Sequence, residues 1–182
     1  MAGKLFFEVF SGSCRLSRAL ARAGIESWGY DVADGPSGDL LRAEVASGLE
    51  EAILGGKLLG LHFGTPCHTW SRARRNDGKG PGPLRDDGKH LWGFPMHTLS
   101  AKDQLKLSIG NRLTRTTLKL IRMALEAGLI VILENTMTSR LWLIKQLQKL
   151  IKPEKHEPES ALVDLPLLIN MIWGFHVLCS EL

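Results

Sequence analysis

The chain has 182 residues, 44% of them hydrophobic, which is enough for one domain with a sizeable core. Its net charge is +4 and its isoelectric point about 9.1, a mild basic excess that fits a nucleic-acid partner but is shared by many proteins that bind nothing anionic. The three cysteines, Cys14, Cys67 and Cys179, are too few, too far apart and odd in number for a disulfide framework. No apolar run reaches the roughly 20 residues of a membrane span or has the form of a signal peptide. The expectation is a soluble protein of a reducing, intracellular compartment, nuclear if the source is eukaryotic.

Residues 5–10 (LFFEVF) read as a strand, and Ser11-Gly12-Ser13 as a tight turn. Leu16, Ala19, Leu20 and Ala23 then recur at helical spacing, which predicts a helix over 15–23 with Gly24 as its stop. A strand, a small-residue turn and a helix hold nucleotide-type cofactors in α/β folds, although any βα unit looks the same. Residues 25–32 predict a second strand with Asp31 near its end. That is where such folds grip a ribose hydroxyl, and equally where a solvated turn acid sits. A loop follows at 34–39, then a helix over 40–54. The interval before the next strand is short for a doubly wound fold.

Leu58–Phe63 is a nearly continuous apolar run, as expected of a parallel strand covered on both faces. It ends in Gly64-Thr65-Pro66, and Cys67 follows at once. Residues 70–98 read as a long, glycine- and proline-rich loop, of the kind that is functional or mobile. From Arg72 to His90 it holds six Lys/Arg against three Asp, and Ser71, Arg72, Arg74, Arg75 and Lys79 are candidate nucleic-acid contacts. Trp70 and Trp92 lie in this loop and read either as packing or as platforms for bases, whereas Trp28, Trp142 and Trp173 read as packing. A helix is predicted over 112–127, a buried strand over 129–133 ending at Glu134-Asn135, and a helix over 139–151. Residues 1–152 would form the catalytic domain. Residues 153–182 would be a linker and an apolar tail, supplying one further strand or helix.

Strands alternating with helices predict an α/β fold with an open, doubly wound, mostly parallel sheet. The chemistry-bearing residues Gly12, Asp31, Cys67 and Glu134 would then gather at its binding edge. A thiolate at Cys67 can add to carbon 6 of a pyrimidine while Glu134 hydrogen-bonds or protonates the ring nitrogen. Carbon 5 then becomes a nucleophile for a sulfonium methyl donor held at the Gly12 turn. The histidines show no zinc spacing, the deaminase signature is incomplete, and no phosphate-binding Gly-Lys-Ser/Thr loop is present, so no metal is expected.

These residues resemble the catalytic half of the DNA (cytosine-5) methyltransferases from the start of the chain to about Trp142. Phe10-Ser11-Gly12 resembles the donor-binding motif. Asp31 and Gly38-Asp39 stand in order where the family contacts the donor's ribose and adenine. Gly64-Thr65-Pro66-Cys67 with Ser71 resembles the nucleophile motif, and Leu133-Glu134-Asn135 the glutamate-asparagine motif. The loop at 70–93 is also similar to methyltransferase-like segments of retroelement-type polyproteins. The resemblance implies a Rossmann-like methyltransferase fold, C-terminally truncated, with S-adenosylmethionine as cofactor and DNA, or RNA, as partner. It implies Cys67 as nucleophile and Glu134 as ring partner, with Pro66 at both the donor and the base. Asn135 would be structural, and the loop would close over a flipped base. The chain departs from the family at Cys14 and Arg15 (glycines there), at His68 (glutamine there) and at Thr136 (valine or proline there), and it lacks the recognition region. The alternative is therefore an inactive remnant that at most binds nucleic acid or the donor. The target sequence and the oligomeric state are not legible.

Overall fold

The computed structural model describes residues 5–74, 76, 80–151 and 167–172. Five strands are described: β1 (Leu5–Val9), β2 (Ser27–Tyr30), β3 (Leu58–Phe63), β4 (Ile130–Thr136) and β5 (Leu167–Ile172). They form one sheet in the order β2-β1-β3-β4-β5, and every neighbouring pair is parallel. Four α-helices accompany them: α1 (Arg15–Arg22), α2 (Ala43–Leu54), α3 (Ala101–Glu126) and α4 (Lys145–Ile151). The fold is thus α/β with a parallel sheet, compatible with a Rossmann-like arrangement. The chain passes from β1 to β2 on one side and returns to β3 on the other. A switch of this kind opens a crevice beyond the carboxyl ends of β1 and β3.

The two faces of the sheet are covered differently. Phe7, Val9, Leu61, Phe63, Val131 and Leu133 alternate along β1, β3 and β4 and share a buried cluster with Leu49 and Ile53 of α2 and Leu118, Ile121 and Ala124 of α3. Burying one such side chain contributes about 1.5–3 kcal/mol. On the other face, Glu8 of β1 is buried and accepts from Ser17 N (2.7 Å) and Ser17 Oγ (2.6 Å), which seats α1 against the sheet.

Several expectations need correcting. The strand expected over 129–133 runs to Thr136, because β5 pairs beside it with Glu134 opposite Asn170 and Thr136 opposite Ile172. Glu134 and Asn135 therefore lie within β4, not past its end, and β5 covers the apolar edge that β4 would otherwise present. The helix expected from residue 112 begins at Ala101, with the Ser100 hydroxyl accepting from Asp103 N (3.2 Å) as its cap. Trp28 is 57% exposed, not packed, since β2 is the sheet's edge strand. Trp70 is fully buried and donates from Nε1 to Thr114 Oγ1 (2.9 Å), so it packs and offers no face to a base. Arg75, Lys79, Trp173 and Cys179 lie outside the described residues, as does the linker expected after residue 152.

No helix among the described residues is long and apolar enough to cross a membrane. Nor do the described residues contain a group of three or more His, Cys, Asp or Glu side chains placed to hold a metal ion.

Candidate active site

The strand β3 delivers the chain to the crevice. Gly64 N donates to Val9 O (3.0 Å), and a Cβ at Gly64 would lie 2.9 Å from Phe10 O. Only glycine lets the turn after β3 lie this close to the turn after β1. Thr65 is buried, and its carbonyl accepts from Asn135 Nδ2 at 2.8 Å. Pro66 and Cys67 follow, both half-buried. The Cys67 carbonyl accepts from Trp70 N and Ser71 N, each at 2.8 Å, so the thiol stands at the start of a tight helical turn.

β4 supplies the second half of the site. Asn135 donates to Thr65 across 70 residues of chain and accepts from Thr136 N (3.1 Å), which locks the Cys67 turn to the strand bearing Glu134. Glu134 Oε2 lies 3.3 Å from His62 Nε2, and both side chains belong to the face opposite the main core. Among the described residues, three buried side-chain atoms have no hydrogen-bond partner: His62 Nδ1, Thr65 Oγ1 and Thr136 Oγ1. All three lie at the ends of β3 and β4, around Cys67 and Glu134. Buried polar groups are ordinarily paired, and orphans gathered at one place mark a spot where water or a ligand group supplies the missing partner. His62 was not legible as a site residue; its signal was a histidine inside an otherwise apolar strand.

The loop after Cys67 is anchored over much of its length. Arg85 is fully buried. It donates to Thr69 O (3.0 Å), Thr69 Oγ1 (2.8 Å), Leu91 O (3.1 Å) and Asn111 Oδ1 (3.0 Å), and its guanidinium stacks 3.5 Å from the centre of the Trp70 ring. Burial, and secondarily the Arg140 charge, lowers its pKa to about 9, so it stays protonated at neutral pH. Gly110 makes room for this network, because a Cβ there would meet Thr69 Oγ1 at 2.6 Å. The long loop expected over residues 70–98 therefore carries core residues of its own: Trp70, Leu84 and Arg85 are buried.

The candidate nucleic-acid contacts are engaged to different degrees. The Ser71 hydroxyl accepts from Ala73 N (3.1 Å), while Arg72 pairs with Asp87 (2.8 Å) and stays partly exposed. Arg74 is largely buried, bonded to Gly82 O (2.9 Å) and paired with Asp103 (3.4 Å), so its fork is already occupied. Arg140 reaches the same Asp87 (2.8 Å) and also Ser71 O (3.2 Å). His68 is half-buried, and burial, followed by the charges of Lys106, Arg74 and Arg85, holds its imidazole below the usual histidine value. The surroundings of the Cys67 turn are therefore cationic.

The candidate donor residues also come together. Phe10 takes a left-handed backbone (φ 59), and Phe10 N and Ser11 N both donate to Tyr30 O (2.8 and 3.2 Å). Gly12 N donates to Asp31 Oδ2, and Ala33 N to Asp31 Oδ1, each at 2.9 Å. Asp31 thus joins the turn after β1 to the turn after β2. Each carboxylate oxygen keeps a lone pair for a hydroxyl group. Gly38 sits against this acid, since a Cβ there would lie 1.9 Å from Asp31 O. Asp39 Oδ1 accepts from Leu41 N (2.9 Å), closing the turn that precedes α2.

No family model matches the chain, and no curated protein and no solved structure matches it.

Proposed function

We propose that the chain transfers a methyl group to carbon 5 of cytosine in DNA, or in RNA, through a covalent adduct at Cys67. The single observation that carries this reading is the Asn135–Thr65 hydrogen bond, which ties the cysteine turn to the strand bearing Glu134. The orphaned polar atoms around that junction add to it.

In this reading the Cys67 sulfur, as thiolate, bonds to carbon 6 of the ring, and the displaced electron pair moves to ring nitrogen 3. Glu134 supplies the proton or hydrogen bond that receives it. Carbon 5 is then the nucleophile. Loss of its proton and expulsion of sulfur restore the aromatic ring and the thiol. The cationic side chains around the turn favour the thiolate. S-adenosylmethionine, when bound, supplies the electrophilic methyl group. The remaining lone pairs of Asp31 suit a ribose diol, and Phe10, Ser11, Gly12, Asp39 and Pro66 would surround the donor. Within this reading the parallel sheet is a methyltransferase fold.

A second reading has one observation in its favour. The Gly12 amide, which a donor-binding turn would offer to a ligand, is already given to Asp31. The chain would then be an inactive relative that at most binds nucleic acid or the donor.

Duplex DNA carrying 5-fluorocytosine, incubated with the protein and S-adenosylmethionine, separates the two. The enzyme reading expects a covalent protein–DNA adduct that is lost in Cys67→Ala. No adduct, together with no calorimetric signal for the donor, overturns it.

A further inference from the structure

A second concavity of about 780 Å³ lies on the far side of the anchored loop, bounded by residues 87–92, α3 and the start of α4. This is within the range of small-ligand sites. Its floor is apolar, with Leu91, Trp92 and Leu143, and its rim is cationic, with Lys89, Arg115 and Lys145. The three rim cations are exposed, and the Arg115 guanidinium lies 5.0 Å from the centre of the Trp92 ring. One acid, Asp87, also lines the cavity, but Arg72 and Arg140 pair with it, each at 2.8 Å. The helices behind the rim are cationic as well. From Gln104 to Leu125 there are five Lys/Arg and no acid, of which Lys119 pairs with Glu50 of α2 and Arg122 with Glu126, and from Ser139 to Lys152 there are four Lys/Arg and no acid.

An aromatic floor under a ring of unopposed cations suits a ligand that is planar at one end and anionic at the other. We propose that this cavity binds a nucleoside phosphate unit of a single-stranded nucleic acid. The base stacks on the Arg115–Trp92 pair, and the flanking phosphates meet Lys89 and Lys145. A strand is favoured over a free nucleotide because the positive field extends along both helices, beyond the reach of one phosphate. Through Asp87, Arg72 and Arg140 the cavity connects to Ser71, four residues past Cys67, so a strand seated here runs toward the cysteine turn. The proposal does not depend on methyl transfer.

The test uses the full chain, a fluorescein-labelled single-stranded oligonucleotide read by anisotropy over a series of salt concentrations, and cytidine monophosphate as competitor. Arg115→Gln and Lys145→Gln should each weaken oligonucleotide binding by about threefold to tenfold, the range expected for one lost phosphate contact. Each should also reduce the slope of log affinity against log salt by about 0.7. Trp92→Ala should weaken binding by about tenfold, the effect of one lost stacking platform. Because Trp92 also packs on Trp70, the two rim variants keep the test valid if Trp92→Ala fails to fold. Arg22→Gln, on α1 and outside the cavity, should leave affinity unchanged, which separates this site from general surface charge. Rim variants that bind with unaltered affinity and slope overturn the proposal. So does a wild-type chain that binds no oligonucleotide, or one that binds the monophosphate alone.

Discussion

His62 Nε2 stands 3.3 Å from Glu134 Oε2, on neighbouring parallel strands and on the same face of the sheet. The pairing is two residues out of register, because His62 lies directly opposite Ile132 and its ring reaches forward toward the strand end. One nitrogen holds the carboxylate, and the other is buried without a partner. A histidine in this position costs stability through its orphaned atom. What it returns is a fixed carboxylate at the site.

Replacing His62 with leucine therefore separates stability from function. The variant loses the contact to Glu134 but also removes a buried unsatisfied nitrogen, whose desolvation cost is about 1–3 kcal/mol. Urea unfolding should show a stability unchanged or raised by about 1 kcal/mol. On the chemistry proposed for Cys67 and Glu134, adduct formation on 5-fluorocytosine DNA should slow by about tenfold, since a loosened carboxyl group would no longer meet the ring nitrogen in one geometry. A variant that is strongly destabilised, or that forms the adduct at the original rate, contradicts this account.

Asn135 acts on the cysteine turn through its amide. Asn135→Ala leaves Thr65 O and Thr136 N without their partner, which should cost about 1–3 kcal/mol for each buried group left unpaired. Asn135→Asp should be worse despite its matching shape, because it sets a carboxylate oxygen against the Thr65 carbonyl. Alkylation of Cys67 by iodoacetamide should speed up in both variants as the turn loosens. Slower alkylation, or aspartate tolerated better than alanine, would count against the tie.

Arg85 offers a measure of how firmly the loop is held. Arg85→Met removes the donor for four oxygens and should destabilise by about 3–5 kcal/mol, the usual cost of taking one partner out of a buried charged network. Arg85→Lys should fall between wild type and methionine, because an ammonium group cannot reproduce the planar fork or the stack on Trp70. Limited proteolysis followed by mass spectrometry should place new cleavage sites between residues 80 and 98 in the methionine variant. Cleavage confined to other regions would show that Arg85 does not anchor this segment.

The fold and the site were legible to different depths. β3 reads directly from Leu58–Phe63, because six largely apolar residues before Gly64 and Pro66 have few other uses. The order of Gly12, Asp31, Cys67 and Glu134 at the sheet's edge follows from strands alternating with helices. The Gly12–Asp31 hydrogen bond does not, since a turn amide and a strand-end acid carry no mark of each other. The first half of α3 was hidden because Lys102, Asp103, Gln104 and Lys106 break the apolar period and Gly110 looks like a stop; Gly110 answers to Thr69, far away in sequence. Arg85 reads as one more loop charge because its acceptors lie 6 to 26 residues off. β4 reads short because its last residues are ordered by pairing with β5, which is non-local.

His68 gives the site a pH signature whose sign is fixed by its surroundings. Burial and three nearby cations hold its folded-state pKa below the ordinary value of about 6.5. Between the two values the unfolded chain binds a proton that the folded chain does not. Stability from this group is therefore complete above about pH 6.5 and declines as the pH falls below it. The midpoint of urea unfolding should fall between about pH 7.5 and pH 5.5, ahead of the range in which ordinary carboxylates titrate. His68→Gln cannot take up that proton in either state, so its midpoint should be flatter across the same window. A glutamine variant whose curve runs parallel to wild type would remove His68 as the source. Arg74→Gln supplies the complementary arm. It deletes one of the opposing charges and raises the folded-state pKa of His68 toward the unfolded value, so the decline should still begin near pH 6.5 but be smaller and end at a higher pH.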